Sequence, residues 1–273
     1  MATILAVSPH LDDAVLSYGG QLVQLCTRGD RVIVYTVFAG LPSPPYSPAA
    51  VKYHQLWGLP DDPVRARLQE DQLAMGLLGA AGMYGPFLDG IYRRDGSGGW
   101  LVPLEGRSGG DHLSAEPALV AGIAEAVGQL IADIGPSLVV TCSATGDHVD
   151  HARARNATVM AAMRTATPIR LWEDLPYGCR TDYIPSLPGD VALASARIEH
   201  VDGQAWETKM HAVGCYASQH QMLVYQGHSI AEQLSTHALS RGRFHGDQCY
   251  GELAWDIAGP LTNAVRTPRE TEN

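Results

Sequence analysis

The first 40 residues strongly constrain what this chain can fold into. Thr3–Ser8 is a short apolar segment rich in β-branched residues and is followed by Pro9, which predicts a buried strand. Residues 14–27 carry apolar side chains at helical spacing, and Gly29 stands where a helix typically ends. Residues 31–39 form a second continuous apolar segment. A strand, a helix and a strand within so short a span predict a βαβ unit, and hence a parallel sheet.

Further segments extend this pattern along the chain of 273 residues. Helices are predicted over residues 65–78, 115–134, 151–165 and 206–217, and strands over residues 137–144 and 169–175. Prolines in residues 42–48 and glycines in residues 95–111 exclude regular structure there, so we expect long loops at the rim of a site. Because no repeat or linker divides the sequence, we predict a single α/β domain over residues 1–273, with a Rossmann-like, mainly parallel sheet flanked by helices.

Composition excludes several classes of protein. The net charge of −10 argues against a nucleic-acid-binding protein, because a phosphate-binding surface needs clustered Lys and Arg. The basic pairs Arg93-Arg94 and Arg241/Arg243 are too short to change that conclusion. No apolar run approaches the roughly 20 residues that cross a bilayer, so we expect no membrane span. The five cysteines are widely spaced and form no CxxC pair, which favours reduced thiols and a cytoplasmic location.

Two polar clusters follow predicted buried strands. His10, Asp12 and Asp13 come directly after the first strand, and His148 and His151 follow a later one. Ligands of open parallel sheets bind beyond the carboxyl ends of the strands, where the winding direction reverses, so we expect the two clusters to converge. Imidazoles with one carboxylate suit Zn²⁺, which keeps one coordination position open for water in a catalytic site. The sequence therefore predicts a zinc site that generates hydroxide near neutral pH.

Neighbouring side chains are expected to take different roles in this site. Of the paired Asp12 and Asp13, one faces the metal while the other accepts a proton from water. His148 and His151 are three residues apart and share one face at the start of a helix, so one can bind metal while the other reaches the substrate carbonyl. Each cluster alone also fits a simpler interpretation, a helix N-cap for the first and a surface turn for the second. Their occurrence as a pair favours the metal centre.

These motifs resemble those of the LmbE-like, or PIG-L-like, family of N-acetylglucosaminyl deacetylases. The family's opening HPDDE-like motif is matched by PHLDDAVLSYGG, which begins at Pro9, and its HPDH-like motif by His148-Val149-Asp150-His151. Three further matches are weaker. They are an RxxE motif that begins at Arg67 within a predicted helix, the FLDG segment at residues 87–90, and a K-x-x-A…SQ pattern that ends at Gln219.

The resemblance implies a role for each matched residue. The implied zinc ligands are His10, Asp13 and His151. The resemblance makes Asp12 the general base that activates the water and later returns a proton to the leaving amine. It makes His148, oriented by Asp150, the imidazolium that stabilises the oxyanion, a role that agrees with the effect of a carboxylate partner on an imidazole.

Substrate residues and departures from the family pattern are also visible. Arg67 and Asp89 are placed like the sugar-binding residues of the family. Leu11 and Val149 replace prolines of the family motifs, and Ala14 replaces an acidic residue. None of the lost groups is a metal ligand in the family pattern, so the departures leave the expected hydrolysis in place.

The expected reaction is zinc-dependent removal of an N-acyl group, such as acetyl, from an N-acetylglucosamine-type sugar in a small-molecule glycoconjugate. Trp57, Trp100 and Tyr46 lie in predicted rim loops, where they would line a site for a large substrate such as a glycopeptide antibiotic. Two alternatives stay open, a zinc hydrolase of another amide or a phosphoester and a nucleotide-binding Rossmann-like module. Against the second, PHLDD stands where a glycine-rich phosphate loop would be, and its carboxylates repel phosphate.

Overall fold

The chain is built around a seven-stranded sheet with helices packed on both faces. This computed structural model describes residues 1–102, 116–184, 186–189, 191–246 and 249–258. The strands are β1 (Thr3–Ser8), β2 (Arg31–Thr36), β3 (Ala81–Tyr84), β4 (Leu138–Cys142), β5 (Ile169–Trp172), β6 (Ala192–Val201) and β7 (Tyr250–Ala258). The helices are α1 (Asp13–Thr27), α2 (Pro48–Leu56), α3 (Pro63–Leu78), α4 (Pro117–Ile134), α5 (Val149–Arg164), α6 (Gly203–Gly214), α7 (Ala217–His220) and α8 (Ile230–Gly242).

The order of the strands places a reversal of winding in the middle of the sheet. That order is β3-β2-β1-β4-β5-β7-β6, with β3 to β5 parallel and β7 antiparallel to both β5 and β6. The first five strands have the order 3-2-1-4-5 of a doubly wound dinucleotide-binding sheet, in which the winding reverses between β1 and β4. The predicted α/β fold with a mainly parallel sheet is confirmed.

The buried strands and long helices agree with the sequence prediction, whereas the edges of the sheet do not. Strand β1 has the predicted bounds, and α3 begins two residues before the predicted start, with Pro63 in its first turn. Strands β3 and β6 were not predicted, because both are largely exposed and lack the apolar pattern of a core strand. Strand β7 is not predicted from the sequence either, and it pairs with strands far away in sequence.

Among the described residues, one helix, α4, has the length and apolar composition of a segment that could cross a membrane. Ile123, Val127 and Ile131 from one side of this helix are buried. They pack with Leu5 and Val139 of the central strands in one hydrophobic cluster. The apolar side of α4 thus covers a face of the sheet, which is the usual role of an amphipathic helix in an α/β fold.

A close approach attaches α1 to the antiparallel end of the sheet. A Cβ atom at Gly20 would lie 2.6 Å from Cγ1 of Val201, so glycine is needed where the helix crosses β6. Glu252 of β7 accepts hydrogen bonds from the backbone N–H groups of Gly20 and Gln21, each at 2.9 Å. The same carboxylate pairs with Lys209 of α6 at 2.7 Å, and both charged side chains are buried. This contact explains Gly20, the second of the two glycines that follow the first motif.

We expect Lys209→Ala to destabilise the fold, because it leaves the buried Glu252 charge without its cation. Breaking a buried pair in this way costs about 3–5 kcal/mol in the free energy of unfolding. Urea denaturation followed by circular dichroism measures the loss. The matched control is Lys52→Ala at an exposed position of α2, with an effect within about 0.5 kcal/mol. Equal effects of the two substitutions would contradict a stabilising role for the buried pair.

Candidate metal centre

The two polar clusters meet where the winding of the sheet reverses. The first follows β1, the second lies between β4 and α5, and β1 and β4 are adjacent parallel strands. The ring centroids of His10 and His151 are 5.3 Å apart, and that of His148 is within 5.2 Å of both. The clusters therefore converge on one point, as the sequence predicts.

Short side chains shape the turn after β1. Ser8 Oγ donates to the carbonyl oxygen of His10 at 2.7 Å and accepts from the N–H of Ala14 at 3.1 Å. Asp13 begins α1, and its carboxylate accepts from the backbone N–H of His10 at 2.8 Å. Asp12 occupies the N-cap position but makes no capping hydrogen bond. The simple N-cap interpretation is therefore wrong for Asp12, whose side chain lines a cavity instead.

The turn between β4 and α5 depends on a glycine. Gly146 has a φ of +87°, and a Cβ atom there would lie 2.8 Å from Cβ of Tyr177, so a larger residue does not fit. His148 is the N-cap of α5, and its Nδ1 accepts the backbone N–H of Asp150 at 3.2 Å. His151 follows in the first turn and is 1% exposed. The cluster is thus part of a buried site rather than a surface turn.

Three donors surround the centre of the site, and they belong to His10, Asp13 and His151. Asp13 Oδ2 lies 3.2 Å from His10 Nδ1 and 3.3 Å from His151 Nε2. Ligand atoms about 2.0–2.2 Å from a tetrahedral Zn²⁺ are about 3.3–3.6 Å apart, so these separations fit a single ion.

Each of the two histidines has its own carboxylate partner on the opposite side of the ring. His151 Nδ1 lies 2.6 Å from Asp174 Oδ1, and His10 Nε2 lies 3.2 Å from Asp150 Oδ2. Both carboxylates are buried. A carboxylate on the outer nitrogen fixes the orientation and tautomer of an imidazole, so the inner nitrogen faces the metal.

The electrostatics of the site favour a bound cation. Burial acts to lower the pKa of His151, but Asp13 and Asp174 outweigh it and raise that pKa to about 10. Burial also acts to lower the pKa of His10, but the neighbouring carboxylates outweigh it and raise that pKa. Among these carboxylates, Asp89 has the largest effect. Burial acts to raise the pKa of Asp13, but His151 and His10 hold it well below its usual range. Positive charge is thus stabilised where the three donors meet, and the donor set fits a divalent metal such as zinc.

Comparison with known proteins identifies the family. The sequence model of the PIG-L family, described as GlcNAc-PI de-N-acetylase, matches residues 5–163, more than half of the chain. The chain belongs to the PIG-L family.

Solved structures match the fold of this PIG-L chain over most of its length. A zinc inhibited form of teicoplanin deacetylase Orf2 is 41% identical, with a TM-score of 0.87 over 94% of this chain and 98% of that chain. The A40926 pseudoaglycone deacetylase Dbv21 is 38% identical, with a TM-score of 0.79 over 93% of this chain and 96% of that chain.

A curated relative matches over a smaller part of its length. The 1D-myo-inositol 2-acetamido-2-deoxy-alpha-D-glucopyranoside deacetylase 1 of Saccharopolyspora erythraea is 31% identical over 63% of this chain. The match covers 57% of that relative, so this chain spans less than two thirds of its length.

Asp12 lies beside the three donors of the PIG-L site without joining them. The residue is 7% exposed, and its Oδ1 lies 3.5 Å from Nη2 of Arg67. Burial, followed by the negative charge of Asp13, raises the pKa of Asp12, while Arg67 acts in the opposite direction. A carboxylate with these surroundings is suited to accept a proton inside the cavity. Its role as general base stays a prediction.

The surroundings of His148 disfavour a positive charge on its ring. Burial, followed by the charges of His151 and His10, lowers the pKa of His148 to about 3, although Asp150 acts to raise it. This shift and the hydrogen bond that Nδ1 accepts favour a neutral ring while His10 and His151 carry protons, and the imidazolium that the resemblance implied stays a prediction. Because Nδ1 accepts the Asp150 backbone N–H, the proton of the neutral ring is on Nε2. Asp150 thus orients His148 through its backbone, since its carboxylate faces His10.

The predicted sugar-binding residues both line a cavity of about 700 Å³ that adjoins the three donors. The guanidinium of Arg67 lies 4.9 Å from the ring centroid of Trp57, and its buried Nε has no hydrogen-bond partner among the described residues. Asp89 accepts the backbone N–H of Ile91 through Oδ1 at 3.0 Å, while its Oδ2 lies 3.5 Å from Nε2 of His10.

The predicted rim aromatics divide into two groups. Trp57 lines the cavity as expected. Trp100 instead stacks on Arg94, and Tyr46 packs edge-on against His54, so neither is among the residues that line the described cavity. Other aromatic residues form its wall, namely Tyr53, Tyr177, Tyr183 and Tyr225. The glycine-rich loop predicted at residues 95–111 falls partly outside the described residues, from residue 103 onwards.

Two residues of the site were missed from the sequence. Asp174 follows β5, at the same edge of the sheet as the ends of β1 and β4. Its position after a buried strand was the available indication, but the adjacent Glu173 offered the same chemistry and contacts His237 elsewhere. Tyr177 packs edge-on against His151 with ring centroids 5.5 Å apart. It had no motif by which to be recognised.

We expect Asp174→Asn to weaken metal binding, because it removes the negative charge from the outer nitrogen of His151 while keeping the shape of the side chain. Loss of such a partner typically reduces metal affinity about 10–100-fold. Competition with a chromophoric chelator measures the Zn²⁺ dissociation constant. Asp182→Asn is the control, since the Asp182 side chain is 96% exposed. If Asp174→Asn bound Zn²⁺ as tightly as this control, the carboxylate would have no role in holding His151.

Proposed function

We propose that this protein is a zinc-dependent N-deacetylase of an N-acetylglucosamine-type sugar in a glycoconjugate. The observation that carries the proposal is the convergence of His10, Asp13 and His151 on one point beside Asp12 and an open cavity. Similar proteins named as deacetylases support the choice of an acetylated amine as substrate. The donor set supports zinc, as does the zinc inhibited form of the teicoplanin deacetylase.

The residues of the site account for an amide hydrolysis. His10, Asp13 and His151 would hold the zinc ion, which would supply polarisation of the amide carbonyl and would lower the pKa of a water molecule to near 7. Asp12 accepts a proton from the attacking water and returns it to the nitrogen as the C–N bond breaks. His148, in its neutral form, donates a hydrogen bond from Nε2 to the carbonyl oxygen as negative charge develops there, an interaction worth about 2.7–4 kcal/mol. One water is consumed, and acetate and a free amine are the products.

Arg67 and Asp89 bind the sugar in this proposal. Asp89 offers a carboxylate oxygen to sugar hydroxyl groups from the wall of the cavity. The buried Nε of Arg67 has no hydrogen-bond partner among the described residues and is a donor for a sugar oxygen, since a buried polar group without a partner is costly.

The substrate class that we propose is a natural-product glycoconjugate of the glycopeptide antibiotic type. A cavity of about 700 Å³ lies in the range that holds drug-sized ligands. Tyr53, Trp57 and Tyr177 line it and offer faces for stacking against sugar and aromatic rings. Two of the similar solved structures are named as deacetylases of teicoplanin and of the pseudoaglycone of the antimicrobial reagent A40926, which supports a natural-product substrate.

We further propose a cytoplasmic location and a single domain over residues 1–273. The cysteines support the location, because all of them are free thiols, which are typical of a reducing compartment. The assembly of every described strand into one sheet supports the single domain.

Asp12→Asn tests the proposed base. Because the amide cannot accept a proton, we expect kcat to fall by about 10²–10⁴-fold, while the Zn²⁺ dissociation constant stays close to that of the wild type. Steady-state kinetics and chelator competition measure the two quantities. Asp133→Asn, at an exposed position of α4, is the control and should leave both kcat and the Zn²⁺ dissociation constant unchanged. Near-normal turnover of Asp12→Asn would remove Asp12 from the mechanism.

A substrate panel tests the reaction itself. Zinc-loaded protein is incubated with an N-acetylglucosaminyl glycopeptide, free N-acetylglucosamine, an N-acetylated peptide and a phosphomonoester, and the products are identified by mass spectrometry. We expect loss of one acetyl group from the glycopeptide sugar, and a chelator should abolish it. Hydrolysis of only the peptide amide or the phosphoester would replace the proposal with the alternative zinc hydrolase.

A further inference from the structure

Arg93 is a buried cation next to the metal centre. It is 9% exposed and follows a short 3₁₀ turn at Gly90–Tyr92. Its guanidinium donates to the carbonyl oxygen of Leu88 at 2.7 Å, to Glu116 at 2.8 and 3.1 Å, and to Asp150 Oδ1 at 2.5 Å. A planar guanidinium has enough donors for all these acceptors at once, which an ammonium group does not.

These contacts hold the Asp150 carboxylate in one orientation. Arg93 occupies Oδ1, and the backbone N–H of Gly90 donates to Oδ2 at 2.8 Å. The remaining side of Oδ2 faces Nε2 of His10 at 3.2 Å. Asp89 also lies near this nitrogen, at 3.5 Å, but its side chain is 17% exposed and lines the cavity, whereas that of Asp150 is fully buried. Asp150 is therefore the fixed partner of His10.

A second contact joins Arg93 to the same imidazole. The guanidinium lies 5.0 Å from the ring centroid of Phe38, and that ring lies 5.8 Å from the ring of His10. The orientation of His10 is thus bounded by Asp150 at Nε2 and by Phe38 beside the ring. Both of these groups are in contact with Arg93.

We propose that Arg93 is a positioning residue of the metal centre, which acts through Asp150 to aim Nδ1 of His10 at the metal. The inference rests on the metal site of the proposed function, but on none of its substrate assignments. The two adjacent arginines, Arg93 and Arg94, therefore have different roles. Arg94, the next residue, is exposed, stacks on Trp100 and donates to the carbonyl oxygen of Gly98.

The test compares Arg93→Gln with Arg94→Gln in the full chain, without any substrate. Chelator competition measures the Zn²⁺ dissociation constant, and we expect Arg93→Gln to weaken binding about 10–100-fold, as loss of an outer partner does. Arg94→Gln should bind as the wild type does. The visible absorption spectrum of the Co²⁺-loaded protein reports the ligand geometry, and only Arg93→Gln should change it.

Two further variants keep the test decisive. Arg93→Lys retains the positive charge between Glu116 and Asp150, which preserves the fold if Arg93→Gln does not fold, but it cannot bind both carboxylates as Arg93 does. We expect its Zn²⁺ affinity to lie between those of the wild type and Asp150→Asn. In the variant that carries both Arg93→Gln and Asp150→Asn, the loss of Zn²⁺ affinity should be smaller than the product of the two single losses. The reason is that both substitutions act on the same orientation of His10.

Wild-type Zn²⁺ affinity and Co²⁺ spectrum in folded Arg93→Gln would overturn the inference. So would wild-type affinity in Arg93→Lys if Arg93→Gln does not fold, or losses that multiply in the double variant. Because none of these measurements uses a substrate, they are independent of the choice of sugar. A failure of the substrate panel with intact metal effects would count against the proposed function alone.

Discussion

The carboxylate of Asp13, shared between two imidazoles, is the interaction on which this site depends. A buried charge without a partner is costly, and this carboxylate lies within 3.3 Å of one nitrogen of each histidine. The charges around it favour a cation at the same point. Metal binding and the local fold are therefore linked, because a divalent ion takes the place of the protons that the imidazoles otherwise need to balance their carboxylates.

The sheet explains why such a cluster can exist at this place. Helices α1 and α5 both begin at the reversal of winding, and each has an aspartate in its first turn, Asp13 and Asp150 respectively. The positive end of a helix dipole stabilises a carboxylate there. Strands β1 and β4 hold the two helix starts in register, so Asp13 and His151 are carried by helices, while His10 lies in the short turn between β1 and α1. The outer carboxylates Asp150 and Asp174 then fix the rings, and Arg93 fixes one of these carboxylates in turn.

Much of the fold could be predicted from local patterns, and the exceptions have a common cause. The strands at the centre of the sheet are continuous apolar segments, so their burial is visible in the sequence. Strands β3 and β6 lie at the edges, where one face or more meets solvent, and their composition resembles that of a loop. Trp100 and Tyr46 show the same limit for side chains, because whether an aromatic residue lines a cavity depends on its neighbours in space.

The sequence by itself determined the chemistry of the site, since His10, Asp12, Asp13, His148 and His151 are recognisable by type, spacing and position after buried strands. Only the tertiary structure decided which carboxylate serves which imidazole. Asp150 is adjacent to His151 in the chain, yet its carboxylate faces His10, and His151 is held by Asp174. The reason is burial: away from water, charged groups are stabilised by whichever partners lie within a few ångströms, and chain neighbours on a helix point in different directions.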